Sequence, residues 1–442
     1  MSLEPTLQHS FIKENRMLDR VTEPQFGTIK DVKLIEPKVH HLDNGIPVFS
    51  IDAGSQEVTK IELVFDAGTA AGKRILVAST TTRLLTAGTS TKTAAQIAES
   101  VDFYGAHLEA ETSHDDCSLN LFTLSKHLHH TLPVLAEVYT DSVFPEQEIA
   151  THLGKSKQEM LVSEAKVSYL GAKAFAAAMF GENHPYGRSA SVADYDAVTR
   201  NDLVDFYQEH IQNGIKHIIV AGKLNENTVE QLNNAFGKEG RKEFLESTIE
   251  VKPQNTHDSH VEKDDAVQNS IKIGRTLFNR KNPDFIGLQV LTTVLGGYFG
   301  SRLMSNIRED KGYTYGIGAG LVSMKNSGYL SISTEVGADV CKAAVDEIFK
   351  EIERLRKEPI PINELELVRN YMLGSILKSV DGPFAIADKW RTYLRYDLGV
   401  SSHRNLIHQI QTITPERLRE LANTYFKKED LVLITAGKSI SV

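Results

Sequence analysis

The chain has 442 residues, of which 41% are hydrophobic and 24% carry a formal charge, and its net charge is −9. This composition is typical of a globular protein with room for about two to four domains, and the negative charge argues against a nucleic-acid or anionic-membrane surface. Two cysteines, Cys117 and Cys341, are too few for a disulfide framework and suit a reducing compartment.

The N-terminal segment carries no recognisable targeting pattern. "MSLEPTLQHSFIKENRMLDRV" lacks an apolar core of signal-peptide length, and no transmembrane run follows it. We therefore expect a cytoplasmic protein without membrane contact, and a periplasmic one only if a signal peptide was removed.

The first well-defined pattern is a strand at 59–68, "TKIELVFDAG", in which apolar residues alternate with polar ones. Residues 77–105 then predict two short helices separated by Ala-Gly-Thr at 87–89. One side of the first helix is apolar, whereas the other carries "STTTR" at 79–83. Small hydroxylated residues are poor helix formers because their side chains compete for backbone hydrogen bonds. Helix propensity alone therefore does not explain this segment.

Paired strands follow at 106–113 and 117–125, and a long helix at 132–143 comes after them. The carboxylates of this region are Glu109, Glu111, Asp115 and Asp116, which we interpret as solubilising groups at the edge of a sheet.

The chain contains an internal repeat. "VTRNDLVDFYQEHIQNGIKHIIVAGK" from Val198 matches "ITPERLRELANTYFKKEDLVLITAGK" from Ile413 without a gap. Each copy has a threonine as predicted helix N-cap, Thr199 or Thr414, and continues through an amphipathic helix into an apolar strand. The other elements repeat too: a strand at 268–277, paired strands at 315–322 and 328–336, and a long helix at 341–356.

These patterns predict the α+β fold class, with two tandem, duplicated domains, each a mainly antiparallel sheet flanked by helices. We predict an N-terminal extension at 1–30, a first domain at 31–237, a linker at 238–264 and a second domain at 265–442. The linker is assigned to this segment because it is polar and highly charged.

Four motifs carry a family resemblance: Ala-Gly-Thr at 87–89, "FPEQE" from Phe144, "HPYG" from His184, and "LGGYFGSRLMSNIREDKGYTYGIG" from Leu295. With them the chain resembles the pitrilysin/insulinase family of zinc peptidases, in its short two-domain, mitochondrial-processing-peptidase-like branch. The resemblance extends from about Val39 to the C-terminus. It implies two peptidase-like domains, of which the first would bear the zinc motif.

The zinc motif of the family is degenerate in this chain. Active members carry H-x-x-E-H on the helix just before the Gly-Thr, and the two histidine positions fall on Ser79 and Arg83, the glutamate position on Thr82. Serine is a poor zinc ligand, threonine is no general base, and arginine places a cation where the metal would bind. The resemblance puts the third ligand at Glu159, for which we expect either an ion pair with Arg83 or a solvated position. We therefore predict no metal and no cofactor in this chain.

The second half keeps the residues that the resemblance assigns to substrate. In the family, an arginine on a helix and a tyrosine seven residues later reach into the opposing catalytic site, where they hold substrate and steady the tetrahedral intermediate. Here they are Arg308 and Tyr315. The alternative for this pair is an exposed arginine and a packing tyrosine. A further departure is Glu109, where the family usually has asparagine, which helps to hold extended substrate.

The resulting functional prediction is a catalytically inactive subunit that pairs with a homologous, zinc-bearing subunit with an intact H-x-x-E-H motif. In that heterodimer it would contribute Arg308 and Tyr315 to the binding and proteolysis of extended peptides, and zinc would be held only by the partner. One alternative is a non-enzymatic structural or peptide-binding homodimer. Another is a zinc-dependent endopeptidase with non-standard ligands.

Overall fold

The computed structural model describes residues 29, 31–238, 240, 249–251 and 258–439. Two sheets organise this part of the chain, one in each half. The six strands of the first sheet are β1 (Lys38–His41), β2 (Pro47–Asp52), β3 (Val58–Phe65), β4 (His107–Thr112), β5 (Cys117–Leu124) and β6 (His217–Gly222). The five strands of the second are β7 (Ser259–Glu262), β8 (Gln268–Leu277), β9 (Ile317–Ser323), β10 (Gly328–Gly337) and β11 (Val432–Gly437).

Helices flank both sheets, which confirms the predicted α+β class. Those of the first half are α1 (Val77–Arg83), α2 (Ala94–Asp102), α3 (Leu128–Thr140), α4 (Glu146–Glu164), α5 (Val167–Phe180), α6 (Val192–Ala197), α7 (Arg200–Phe206) and α8 (Thr228–Phe236). Those of the second half are α9 (Phe285–Thr292), α10 (Cys341–Lys357), α11 (Ile362–Lys378), α12 (Pro383–Arg395), α13 (Val400–Thr412) and α14 (Pro415–Tyr425).

The sheet topology explains why both halves have the same sequence pattern. The strand order is β1-β2-β6-β3-β5-β4 in the first sheet and β7-β11-β8-β10-β9 in the second. Among the described pairings only β2–β6 and β7–β11 are parallel, so both sheets are mainly antiparallel as predicted. In each sheet the strand that ends the repeat, β6 or β11, lies beside the first long strand of its half, β3 or β8.

The local features of the repeat are confirmed. The side chains of Thr199 and Thr414 accept hydrogen bonds from the backbone N–H groups of Asp202 and Arg417, so both threonines cap their helices. Asp202 completes the cap of α7 by accepting from the backbone N–H of Thr199. Such caps satisfy N–H groups that have no partner within the helix.

One helix of each half packs on the sheet of the other half. Helix α5 packs on β8 and β11, where Phe175 joins a cluster with Ile434. Helix α12 packs on β6 and β2, where Trp390 joins a cluster with Ile51 and Ile219. The predicted domain boundaries stay predictions. The strand β7, however, lies inside the predicted linker at 238–264, most of whose other residues are outside the described part of the chain.

A buried ion network joins α12 to the first sheet. Arg391 Nη1 lies 2.7 Å from Glu62 Oε1, and Arg391 Nη2 lies 3.1 Å from Asp116 Oδ1. Lys60 also contacts Glu62, at 3.2 Å, and Arg395 contacts Asp116, at 2.6 Å. The carboxylates of Glu62 and Asp116 are almost completely buried. The interpretation of Asp116 as a solubilising group is therefore wrong, because the sequence does not show that a helix from the other half covers it.

Asp115 is likewise a structural contact. Its carboxylate accepts two hydrogen bonds. One comes from the hydroxyl of Tyr186, in the "HPYG" motif, at 2.5 Å, and the other from the backbone N–H of Lys325 at 2.7 Å. It thus connects the two halves, and the solubilising role predicted for it is also wrong. Within the described residues, no helix is both long and apolar enough to span a bilayer.

Candidate functional site

The helix that carries the degenerate motif, α1, is enclosed on more than one side. It packs against β4, α4 and α7, and Val77 and Ala78 belong to the main apolar core of the first half. Thr80, Thr81 and Thr82 are buried as well. The hydroxylated residues at 80–82 are therefore part of the packed interior and not of the surface.

The three motif positions do not fit a zinc ion. The hydroxyl of Ser79 donates to the backbone carbonyl of Leu76 at 3.1 Å, and that of Thr82 donates to the carbonyl of Ala78 at 2.9 Å. Arg83 is exposed and presents a permanent cation on the face that it shares with Ser79, one turn away. Zinc prefers imidazole, thiolate and carboxylate ligands, and none of the three side chains supplies one.

Glu159 does not pair with Arg83. Its carboxylate lies 3.8 Å from the ammonium of Lys155, one turn earlier on α4, and two-thirds of the side chain is exposed. The expected ion pair is thus absent between these two described residues, and the alternative of a solvated glutamate is the one observed. Among the described residues, no group of three or more His, Cys, Asp and Glu side chains could hold a metal ion.

His152 lies close to Arg83 and Glu159, and the sequence analysis did not single it out. It lies two turns before Glu159 on α4, and burial together with the nearby Arg83 lowers its pKa below the ordinary value. A neutral imidazole here avoids placing a second cation beside Arg83. The spacing of seven residues from Glu159 was the available signal, since positions seven apart share a helix face.

The edge strand β4 runs beside this helix. Glu109 is on β4, opposite Asn120 of β5, and its carboxylate lies 3.4 Å from the His107 imidazole. Within the described chain the other side of β4 has no partner strand. An unpaired edge can add an extended peptide as a further strand.

In the second half, Arg308 and Tyr315 lie near β9, an edge strand of the second sheet. Arg308 lies in the last turn of a π-helical segment, Met304–Asp310, and Tyr315 lies two residues before the edge strand β9. The Arg308 guanidinium stacks over the Phe299 ring at 4.7 Å and pairs with Glu309 at 2.8 Å. Tyr315 is 94% exposed, and its hydroxyl has no hydrogen-bond partner within the described residues. A phenol this exposed does not pack in the core, so the packing alternative does not describe Tyr315.

Restoring the motif tests whether the helix geometry still suits a metal. We expect a Ser79→His, Thr82→Glu, Arg83→His variant to bind one zinc ion per chain, because two histidines four apart on α1 would face Glu159 of α4. Activity is not expected, since the surrounding hydrogen bonds that orient zinc ligands are not rebuilt. Elemental analysis after dialysis measures the metal.

The matched control adds Glu159→Ala to the triple variant and is expected to weaken zinc binding by at least about 10-fold, because losing a ligand costs no less than losing a partner that only orients one. A well-folded triple variant that binds no zinc would show that Glu159 does not occupy the ligand position.

Two family models match the chain. Residues 48–190 match the one described as Insulinase (Peptidase family M16), and residues 197–372 match the one described as Peptidase M16 inactive domain. The first match includes the degenerate motif and Glu159, and the second includes Arg308 and Tyr315. Together the two matches span most of the chain.

Similar proteins agree with these matches. An uncharacterized zinc protease of Bacillus subtilis is 26% identical over 350 residues, which are 77% of this chain and 83% of that protein. A probable mitochondrial-processing peptidase subunit beta of Arabidopsis thaliana is 23% identical over 425 residues, 91% of this chain and 78% of that protein. A crystal structure of a peptidase M16 inactive domain from Pseudomonas fluorescens has a TM-score of 0.84 at 22% identity, covering 92% of this chain and 99% of that chain. The chain therefore belongs to the insulinase family of peptidases, peptidase family M16.

Proposed function

We propose that this chain is a non-catalytic, cytoplasmic subunit of a two-subunit zinc peptidase. It pairs with a homologous subunit that bears an intact H-x-x-E-H motif, and zinc is bound only in that partner. In the pair, Arg308 and Tyr315 of this chain reach the partner's site and bind the extended peptide substrate.

The observation that carries the proposal is the contrast between the two halves. In the first half, Ser79 and Thr82 use their hydroxyl groups on the backbone of their own helix, and Arg83 adds a cation. In the second half, Arg308 and the 94% exposed Tyr315 present a guanidinium and a phenol beside an edge strand. Both groups donate hydrogen bonds of the kind that stabilises a developing oxyanion.

Two further points support the pairing. Tyr315 is 94% exposed and so available to a partner surface, and tyrosine is enriched among the residues that anchor protein interfaces. The Arabidopsis thaliana relative is named as a subunit of a processing peptidase, which agrees with function in an assembly.

A second candidate is a homodimer that binds peptides or has a structural role. The unpaired edges of β4 and β9 favour it, since both can accept an extended segment without any catalytic group. This candidate predicts that the chain forms a homodimer and does not bind a zinc-bearing homologue.

The test is to purify the chain alone and together with a homologous subunit that has the intact motif. Alone, we expect no stoichiometric zinc and no cleavage of an unstructured peptide, because no motif side chain is a zinc ligand. Together, we expect a 1:1 complex with one zinc ion that cleaves the peptide. Elemental analysis, light scattering and a fluorogenic peptide assay measure the three quantities.

Two outcomes contradict the proposal. One chelator-removable zinc ion per chain, with peptidase activity that follows the metal, would establish the chain as an enzyme with non-standard ligands. A stable homodimer that does not exchange with the homologous subunit would support the second candidate instead.

A further inference from the structure

A pocket of about 460 Å³ lies in the second half, away from Arg308 and Tyr315. It is bounded by the loop before α9 and by α9, α11, α12 and α13. Three cations line it, Arg280, Lys281 and Lys389, and no Asp or Glu side chain does. We call it the basic pocket. Its volume falls within the range of small-molecule sites in proteins.

Among the described residues, only one of the three cations has a counter-ion. Lys281 pairs with Asp397 at 2.9 Å. Within the described residues, neither Arg280 nor Lys389 has a carboxylate oxygen within ion-pair distance. The Nε atom of Arg280 is buried and has no hydrogen-bond partner in that part of the chain. A buried donor without a partner is costly, and such groups in native proteins call for an explanation.

Aromatic rings hold both cations in place. The Arg280 guanidinium lies between the rings of Phe285 and Tyr396, at 5.4 and 5.5 Å, and the Lys389 ammonium lies 5.5 Å from the centre of the Tyr393 ring. Burial and the nearby Arg280 lower the pKa of Lys389 to about 8. Two cations fixed close together without an anion repel each other, and a bound anion would relieve that repulsion.

Apolar and polar side chains share the rest of the pocket wall, and the polar ones are Asn282, Gln289, Thr293, Ser375, Ser379, Ser402, Asn405 and Gln409. Three helices form the apolar part. α9, α11 and α13 supply Phe285, Ile286, Met372, Ile376, Leu406 and Ile410. Small hydrated anions such as phosphate gain nothing from this apolar part, whereas a ligand with an apolar body gains from burying it.

We propose that the basic pocket binds an amphiphilic organic anion, with its carboxylate between Arg280 and Lys389 and its apolar body against α9, α11 and α13. The charge-assisted hydrogen bonds fix the acid group, and the apolar part of the wall favours acids that carry a chain. This inference does not depend on the proposed pairing with a zinc-bearing subunit.

Isothermal titration calorimetry of the full chain tests it with octanoate as the probe. We expect octanoate to bind at least about tenfold more tightly than acetate, which lacks the chain, and than octan-1-ol, which lacks the charge. Inorganic phosphate is expected to bind more weakly than octanoate. Acetate or phosphate binding as tightly as octanoate would overturn the proposal.

Substitutions separate the pocket from the general surface. Lys389→Met and Arg280→Met are each expected to weaken octanoate binding at least about tenfold, because each removes a charged partner. Lys378→Met, at an exposed lysine near the end of α11 that does not line the pocket, is the matched control and should bind like the unsubstituted chain. Equal affinity of the Lys389→Met variant, or an equal loss in the Lys378→Met variant, would contradict the assignment.

Thermal unfolding shows whether a variant that loses octanoate binding is still folded. Without ligand, Lys389→Met should unfold at the same or a higher temperature, because it removes a partly buried cation that has no counter-ion within the described chain. With octanoate, only the unsubstituted chain and the control should gain thermal stability. A Lys389→Met variant that is stabilised by octanoate as strongly as the unsubstituted chain would overturn the proposal.

Proton uptake gives an independent readout. The charged and titratable groups that face Lys389 are Arg280, Lys281, Tyr393 and His403. The pKa of Tyr393 is raised to about 12 and that of His403 is lowered, so neither titrates near pH 8. A bound carboxylate raises the pKa of Lys389, so at pH 8.5 binding should take up a proton and the measured enthalpy should vary with the buffer. An enthalpy independent of the buffer would place the acid group elsewhere.

Discussion

Replacing Arg308 by alanine, or Tyr315 by phenylalanine, should reduce peptide turnover by the two-subunit complex about 10²–10³-fold, the usual effect of losing one oxyanion donor. The loss should fall mainly on kcat if the groups act on the tetrahedral intermediate, and mainly on KM if they only hold the peptide. Folding should be unaffected. Tyr315 is 94% exposed, and the Arg308 guanidinium makes local contacts, with the Phe299 ring and with Glu309.

Matched controls come from the same segment. Tyr313→Phe changes a phenol that packs on the apolar core of the second half, and Lys311→Ala removes a cation whose nearest carboxylate, Glu347, is 3.7 Å away. Both controls should keep near-normal turnover, since neither residue belongs to the proposed pair. Assembly is checked by light scattering for every variant. Normal rates for both Arg308→Ala and Tyr315→Phe, in a complex shown to be active, would leave this chain a scaffold only.

The largest expected change in stability follows Arg391→Met. This substitution leaves the buried carboxylates of Glu62 and Asp116 without their shared cation. Burial raises the pKa of Glu62 even with Arg391 present, which shows how poorly this position solvates a charge. Removing one member of a buried ion network costs about 3–5 kcal/mol. Urea unfolding measures the loss.

The chain provides its own reporter for this experiment. Trp390, the single tryptophan, precedes Arg391 on α12 and donates a hydrogen bond to the backbone carbonyl of Ile35 at 2.7 Å. Its fluorescence therefore follows the docking of α12 on the first sheet. Adding Glu62→Gln to Arg391→Met should recover part of the stability, because it removes a buried charge that then has only Lys60 as a counter-ion.

An exposed arginine supplies the comparison. Arg404 is 73% exposed and lies 3.7 Å from Glu36, and Arg404→Met should leave the urea midpoint essentially unchanged. An equally small effect of Arg391→Met would show that water reaches Glu62 and Asp116 and that the network does not hold α12 in place.

Local sequence patterns correctly predicted much of the fold. Thr199 and Thr414 cap their helices as predicted because a cap involves only the threonine and the residues just after it. The strand pairs β4–β5 and β9–β10 follow from alternating apolar residues joined by short connections. That Ser79 and Arg83 are poor zinc ligands also needed no structure, since ligand chemistry is a property of the residues themselves.

Contacts between distant segments were decided only by the tertiary structure. Thr80, Thr81 and Thr82 lie on the hydroxylated side of α1, yet they are buried in a helix that packs against α4, α7 and β4. Asp116 read as a surface carboxylate, yet Arg391 and Arg395, some 275 residues later in the chain, enclose it. The physical reason is the same in both cases. Which side of a helix or turn meets water depends on what packs against it, and here the packing element comes from the other end of the repeat or from the other half of the chain.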